Sequence, residues 1–194
     1  MSRSTESTAY PGRFLPIRNG LRGTVRVPGD KSISHRALLL GSVSRGAVEV
    51  DGLLRSGDTL ATLAAVKALG VRVEEHGDRL VVHGQGWEGL REPEDVIDVA
   101  NSGTLLRLLP GLIASRDMYC TLTGDSSIRR RPMERVLEPL GAMGASVDGR
   151  AGGKLPPVSI RGGRLHAIDH VLAVASAQVK SCLLLAGLRA EGVT

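Results

Sequence analysis

Apolar and polar positions along this chain follow two periods in turn, one helical and one alternating. Ile33, Ala37 and Leu40 recur at the i, i+4, i+7 spacing of one helical face. A helix with that face buried is therefore expected from the turn at Gly29-Asp30 to about Val43. Ahead of it, Leu21, Thr24, Val25 and Val27, broken by Gly23 and stopped by Pro28-Gly29, predict a strand over 21–27. Behind it, Val48 and Val50 alternate with Glu49 and Asp51, predicting a strand over 47–54. Asp58 is the expected cap of a second helix running through Leu69 to Gly70. Two short strands over 71–75 and 79–83 follow, joined by the turn His76-Gly77-Asp78.

The same order then returns. Asn101-Ser102-Gly103-Thr104 opens a helix toward Ala114, which Pro110 is expected to kink or shorten. Residues 119–123 read as a strand. Pro132 is expected in the first turn of a helix with Met133, Val136, Leu137 and Leu140 on its inner face and a kink at Pro139. Gly144 closes this unit as Gly70, 74 residues earlier, closes the first. A strand is expected at 158–160, inside the Gly- and Pro-rich stretch 152–163. A third helix opens at Ser176-Ala177-Gln178-Val179-Lys180. Each opening sets a small residue four places before a base: Ser32/Arg36, Gly103/Arg107 and Ser176/Lys180. Units recurring at one period pack as equivalent modules. Packed around a pseudo-threefold axis, they would bring three helix N-termini and three bases to one surface. The third unit stops at Gly192-Val193-Thr194, where its next strand is due, so the chain reads as the N-terminal portion of something longer.

Composition changes this picture only in places. A hydrophobic share of 42% and a charged share of 23% are ordinary for a globular protein. The net charge of +5 favours anionic partners. Tyr10, Phe14, Trp87 and Tyr119 are the whole aromatic supply, too few for the stacking platforms of single-stranded nucleic acid binding. The Ser- and Thr-rich residues 1–13 are expected to be loosely attached and lack the apolar core of a signal peptide. No run approaches the roughly 20 apolar residues of a membrane span. A cytoplasmic protein with neither nucleic-acid nor membrane partners is expected. Cys120 and Cys182 have no metal-ligand spacing and read as two buried, reduced thiols.

The candidate chemistry lies in Gly29-Asp30-Lys31-Ser32-Ile33-Ser34-His35-Arg36. Lys31 sits at a helix mouth, where unpaired N–H groups and the positive dipole end collect anions. Ser32 and Arg36 stand one turn apart on a shared face. This arrangement suits a phosphorylated or carboxylated small molecule. His35 reads as structural, and Asp30, Asp58 and Asp125 as caps and turn residues. Arg129, Arg130 and Arg131 read alone as a solvated basic run.

Taken with Asn-Ser-Gly-Thr at 101–104 and Arg107, Gly-Asp-Ser-Ser-Ile-Arg-Arg-Arg-Pro-Met at 124–133, and Ala-Ser-Ala-Gln-Val-Lys-Ser at 175–181, that motif resembles the 5-enolpyruvylshikimate-3-phosphate synthase family. The resemblance implies an α/β (α+β) enolpyruvyl transferase architecture of two lobes, each of three βαβαββ-type units, with the active site between them. It assigns residues 1–28 to the second lobe and 29–194 to an incomplete first lobe, two units and the start of a third. The implied reaction transfers the enolpyruvyl group of phosphoenolpyruvate to the 5-hydroxyl of shikimate 3-phosphate. It passes through a tetrahedral ketal and releases phosphate, in the pathway to chorismate and aromatic amino acids. Motif by motif, Lys31, Ser32, Arg36, Ser176 and Gln178 are implied to bind shikimate 3-phosphate. Lys31, Gly103, Arg131 and Gln178 are implied to bind phosphoenolpyruvate, with Asn101, Thr104 and Arg107 as further candidates. No cofactor or metal is implied, and the full-length parent is expected to be monomeric. Proton-transfer residues belong to the second lobe, so this chain is expected to hold no catalytic acid or base and to act alone only as a partial binding lobe.

Three positions, in two motifs, depart from the family pattern. Ala177 stands where many members carry a second serine, and Ser102 and Leu105 differ from the Asn-Ala-Gly-Thr-Ala form. UDP-N-acetylglucosamine enolpyruvyl transferase is the nearest alternative, but residues 124–131 lack the loop cysteine typical of that family. A non-enzymatic anion-binding module would show steep salt dependence. Neither G-x-G-x-x-G nor G-x-x-x-x-G-K-[ST] is present to support a nucleotide site.

Overall fold

The computed structural model describes Gly20 and residues 22–194, so the expectation for residues 1–13 lies outside the described part. Helix α1 (Lys31–Val43) starts where the Asp30 carboxylate accepts the Ile33 N–H at 2.8 Å. Its buried face is not the expected one. Ile33 is 69% exposed and Leu40 48%, whereas Ser34, His35, Leu38 and Leu39 are buried. The inversion has a polar cause. Ser34 donates to the Asp30 carbonyl and accepts the Leu54 N–H, and His35 Nδ1 meets the Thr62 hydroxyl at 2.6 Å. With Ser34 bonded twice and His35 bonded through Nδ1, though its buried Nε2 has no partner, Leu38 and Leu39 turn inward beside them.

Strand β1 (Arg45–Asp51) follows. Helix α2 (Gly57–Ala68) is capped by Ser56, which forms a capping box with Thr59, and not by Asp58. Asp58 lies in the first turn, its carboxylate free for another partner. Strands β2 (Arg72–His76) and β3 (Arg79–Gln85) complete an antiparallel sheet in the order β1-β3-β2. Residues 22–30, by contrast, form no strand, and Val25 and Val27 are about 80% exposed. No strand among the described residues offers this segment a ladder, so its alternation pairs with nothing. It enters α1 through Gly29, where a Cβ would lie 2.1 Å from the Gly52 carbonyl oxygen.

The second unit repeats the first around strand β4 (Ile97–Asp98), helix α3 (Gly103–Ala114), strand β5 (Tyr119–Thr123), helix α4 (Glu134–Ala142) and strand β6 (Ser146–Gly149). The tight turn α5 (Arg150–Gly153) and strand β7 (Leu155–Arg161) close it. The sheet order is β4-β5-β7-β6, with β4 parallel to β5 and the other pairs antiparallel. Strands β4 and β6 escape a pattern search because each holds a single apolar residue, Ile97 or Val147.

Helix α3 is not shortened by Pro110. Leu105, Leu106, Leu108, Leu109, Leu112 and Ile113 are all fully buried, and this packing holds the helix together where the proline lacks its N–H. Pro132 stands ahead of α4, not in its first turn. A 3₁₀ turn at Ile128–Arg130 leads into an extended Arg131, the conformation a following proline favours. Helix α6 (Ala177–Gly187) then opens as α1 and α3 do, capped by Ser176. It packs so closely on α3 that a Cβ on Gly111 would stand 2.2 Å from the Cys182 carbonyl oxygen. One continuous apolar core joins both sheets and the helices. Among the described residues no helix is long and apolar enough to cross a membrane.

Candidate anion-binding site

The helices align their N-termini in pairs. Lys31–Asp58 at 2.8 Å and His35–Thr62 at 2.6 Å both join residues 27 apart, so α1 and α2 run side by side in the same direction. Arg107–Gln178 at 2.9 Å and the Gly111–Cys182 contact both join residues 71 apart, so α3 and α6 do the same. Each pair therefore presents its unsatisfied N–H groups and positive dipole ends together. Arg36 on α1 donates to the Ser181 hydroxyl of α6 at 2.8 Å, which ties the two pairs to each other.

Gln178 is the centre of this arrangement. Its carbonyl accepts from Arg107, and its amide donates to the Thr104 hydroxyl at 3.0 Å. Arg107 thus has a neutral partner instead of a carboxylate. Burial pushes its pKa down, and the nearby guanidinium groups of Arg135 and Arg131 push the same way. Three like charges gathered this way cost free energy that a bound anion would offset. Gly103 opens α3 beside them, and the nearest atom to a Cβ there would be the Arg107 guanidinium at 3.3 Å.

The loop that carries Arg131 is braced from below. Asp125 accepts the Ile128 N–H at 2.9 Å and the Asn101 amide at 2.6 Å, and these two bonds, in that order, lower its pKa. Arg129 is turned back onto the Gly124 carbonyl at 3.0 Å, while Arg131 is left exposed at the end of the turn. Asn101 is engaged in this brace. At the other mouth Lys31 is half exposed beside Asp58, and Ser32 lends its carbonyl to Arg36 at 3.2 Å. Ser176 accepts the Val179 N–H as the cap of α6.

The expected equivalence of three bases fails at Lys180. Arg36, Arg107 and Lys180 stand six, five and four residues beyond the caps Asp30, Ser102 and Ser176. At about 100° per residue they leave their helices in different directions. Lys180 faces a separate groove with Ile168, Asp169 and Leu183. What α6 brings to the arginines is Gln178 and Ser181 instead. Sequence reading missed Ser181, the Asp58 partner of Lys31, the Asp125 brace and Arg135. Ser181 could have been found, since it stands five places beyond its cap as Arg107 does.

His35 and the two thiols stand apart from this arrangement, each in the core. His35 is buried, and that burial lowers its pKa against the opposing pull of Asp58. Cys120 and Cys182 are buried thiols pushed up to about 12.

Repeated α/β units that bring helix mouths, a bridging glutamine and neighbouring arginines together are the architecture of an enolpyruvyl transferase lobe. The family model for EPSP synthase (3-phosphoshikimate 1-carboxyvinyltransferase) matches residues 16–194. The chain belongs to this family. It is 51% identical over 179 residues to the 3-phosphoshikimate 1-carboxyvinyltransferase of Bacillus cereus strain G9842. It is 50% identical over the same length to that of Bacillus thuringiensis subsp. konkukian strain 97-27. A structure of EPSP synthase from Acinetobacter baumannii matches with a TM-score of 0.84 at 45% identity, over 88% of this chain and 39% of that one. The matches to the two Bacillus proteins cover 92% of this chain and 42% of theirs, so it spans less than half the length of these relatives.

Proposed function

We propose that this chain supplies the first lobe of a 3-phosphoshikimate 1-carboxyvinyltransferase. In that reaction the 5-hydroxyl of shikimate 3-phosphate gives up its proton as its oxygen bonds to C2 of phosphoenolpyruvate, and the C2=C3 π pair takes up a proton at C3, giving a tetrahedral ketal. The C2–O bond to phosphate then breaks, C3 gives back a proton, and enolpyruvyl ether and phosphate leave. Both substrates are polyanions, so holding them side by side is the first physical problem. The observation that carries the reading is the bridge Thr104–Gln178–Arg107 with two further guanidinium groups beside it and no carboxylate within it.

The side chains have capacity for the proposed contacts. Lys31 gives one of its three donors to Asp58 and keeps two, enough to reach both substrates. Ser32, Arg36, Ser176 and Gln178 take shikimate 3-phosphate. The Ser176 hydroxyl accepts from Val179 and still has its own proton to donate. Gly103, Arg131 and Gln178 take phosphoenolpyruvate, whose approach to the α3 backbone a Cβ would obstruct. Arg107 and Thr104 position Gln178, and Asn101 acts through Asp125 on the Arg131 loop.

Residues 29–194 make up two units and the opening of a third about a pseudo-threefold axis, and residues 1–28 belong with the second lobe. Helix α2 packs beside α1 and α3, and α4 beside α3 and α6. The leucine-lined groove of about 380 Å³ between α6 and α1 is the corresponding place for the second helix of a third unit. The proton-transfer groups lie in the second lobe, and the whole protein works as a cytoplasmic monomer without metal or cofactor.

The test is phosphate release by the full-length protein. Turnover is expected only when phosphoenolpyruvate and shikimate 3-phosphate are both present. Turnover with UDP-N-acetylglucosamine in place of shikimate 3-phosphate, or none with either, refutes the reading.

A further inference from the structure

We propose that Ser181 is a positioning residue that fixes Arg36 for binding of the phosphorylated sugar-acid substrate. The inference rests on the function proposed above. Arg36 is a long side chain on α1 that must meet a substrate also held by α6, and one contact sets its reach. Its guanidinium donates to the Ser181 hydroxyl at 2.8 Å and to the Ser32 carbonyl at 3.2 Å. The second bond lies within α1, so only the first relates Arg36 to the helix that carries Ser176 and Gln178.

The surroundings leave the guanidinium little else to hold. Ser181 and Arg36 are both half-buried, and they border a groove whose other walls are Leu39, Leu40, Leu108, Leu184, Leu185 and Leu188. Leucines accept no hydrogen bond. Without the hydroxyl, the charged head is better solvated by swinging out to water than by staying at this apolar edge. Ser181 also stands three residues beyond Gln178, on the same strip of α6 surface. One turn of α6 would thus bind substrate through Gln178 and orient the opposing arginine through Ser181.

The consequence is selective. Arg131, Gly103 and Lys31 do not depend on Ser181, so the phosphoenolpyruvate side keeps its contacts. In the full-length protein, Ser181→Ala is expected to raise KM for shikimate 3-phosphate about tenfold, the scale of a lost hydrogen bond to a charged group. The KM for phosphoenolpyruvate and kcat are expected to stay within about twofold, and Ser181→Thr, which keeps the hydroxyl, to restore the shikimate 3-phosphate KM. A general loosening of α6 would raise both KM values together and lower the melting temperature, and would not be rescued by threonine. That pattern overturns the inference. An unchanged KM for shikimate 3-phosphate overturns it also, as does a lowered one, which would mean that the bond holds Arg36 away from substrate. Wild-type protein unable to turn over the substrate pair overturns the functional reading and this inference with it. An active wild type with an unaltered Ser181→Ala variant overturns this inference alone.

Discussion

Gly111→Ala tests whether the α3–α6 contact sets the geometry of the arginine–glutamine bridge. The added Cβ would lie 2.2 Å from the Cys182 carbonyl oxygen, and ordinary contact begins at 3.4 Å, so the helices must separate by about 1.2 Å. This obstacle is backbone and cannot rotate away. Because α3 and α6 are parallel here, the opening carries one turn toward their N-termini. There the Arg107–Gln178 and Gln178–Thr104 bonds, at 2.9 and 3.0 Å, would be drawn beyond hydrogen-bonding range. Overpacking costs about 1–3 kcal/mol and the two bonds about 1 kcal/mol each, while alanine returns about 1 kcal/mol of helix propensity. The net loss is about 2–4 kcal/mol, or roughly 5–15 °C in melting temperature at about 2–4 °C per kcal/mol. Denaturant titration and thermal unfolding of wild type and variant measure it directly. A variant melting within about 1 °C of wild type would refute the close-contact reasoning.

Three further outcomes follow from the same geometry. Gly103→Ala meets only the movable end of Arg107 and has no positive φ, so stability is expected within about 1 kcal/mol of wild type while KM for phosphoenolpyruvate rises; steady-state kinetics on the full-length protein decide. Lys31→Ala removes a half-exposed ion pair, so unfolding should shift by no more than about 1 kcal/mol, yet calorimetry should show weakened binding of both substrates. The two thiols ionise near 9 when unfolded and near 12 when folded, so their stabilising contribution is intact below pH 9 and declines as pH rises toward 12. Alkylation at pH 8 should leave both unlabelled in the native chain and label both in urea, and native labelling of Cys182 would contradict its burial.

The order of elements was legible because period and punctuation agree: Gly70 and Gly144 end helices where they were expected, both with positive φ. Which face of a helix turns inward was less legible. On α1 the inner stripe contains Ser34 and His35, which hydropathy assigns to solvent, and only their partners Leu54 and Thr62 explain their burial. The cap of α2 was misread for a related reason. Aspartate and serine both cap well, and the choice was settled by Thr59 answering Ser56 three residues on. Among the site residues, the motifs located Lys31, Gly103, Arg107 and Gln178 on helix openings. They could not show that Lys180 leaves α6 on another side, because counting from one small residue to one base ignores where each helix begins. Ser181 and Arg135 were invisible for a simpler reason: their relevance depends on contacts between elements far apart in sequence.

The close fit at Gly29 acts as a backbone anchor at the entry to α1. Only Asp30 separates it from Lys31, and the exposed stretch before it is tethered to no strand among the described residues. The Gly29 backbone lies against both the Gly52 carbonyl and the Leu54 N–H, so the step into α1 is fixed by backbone just past the end of β1. The mouth of α1 thus takes its place from the first sheet, through a contact that leaves no room for a side chain.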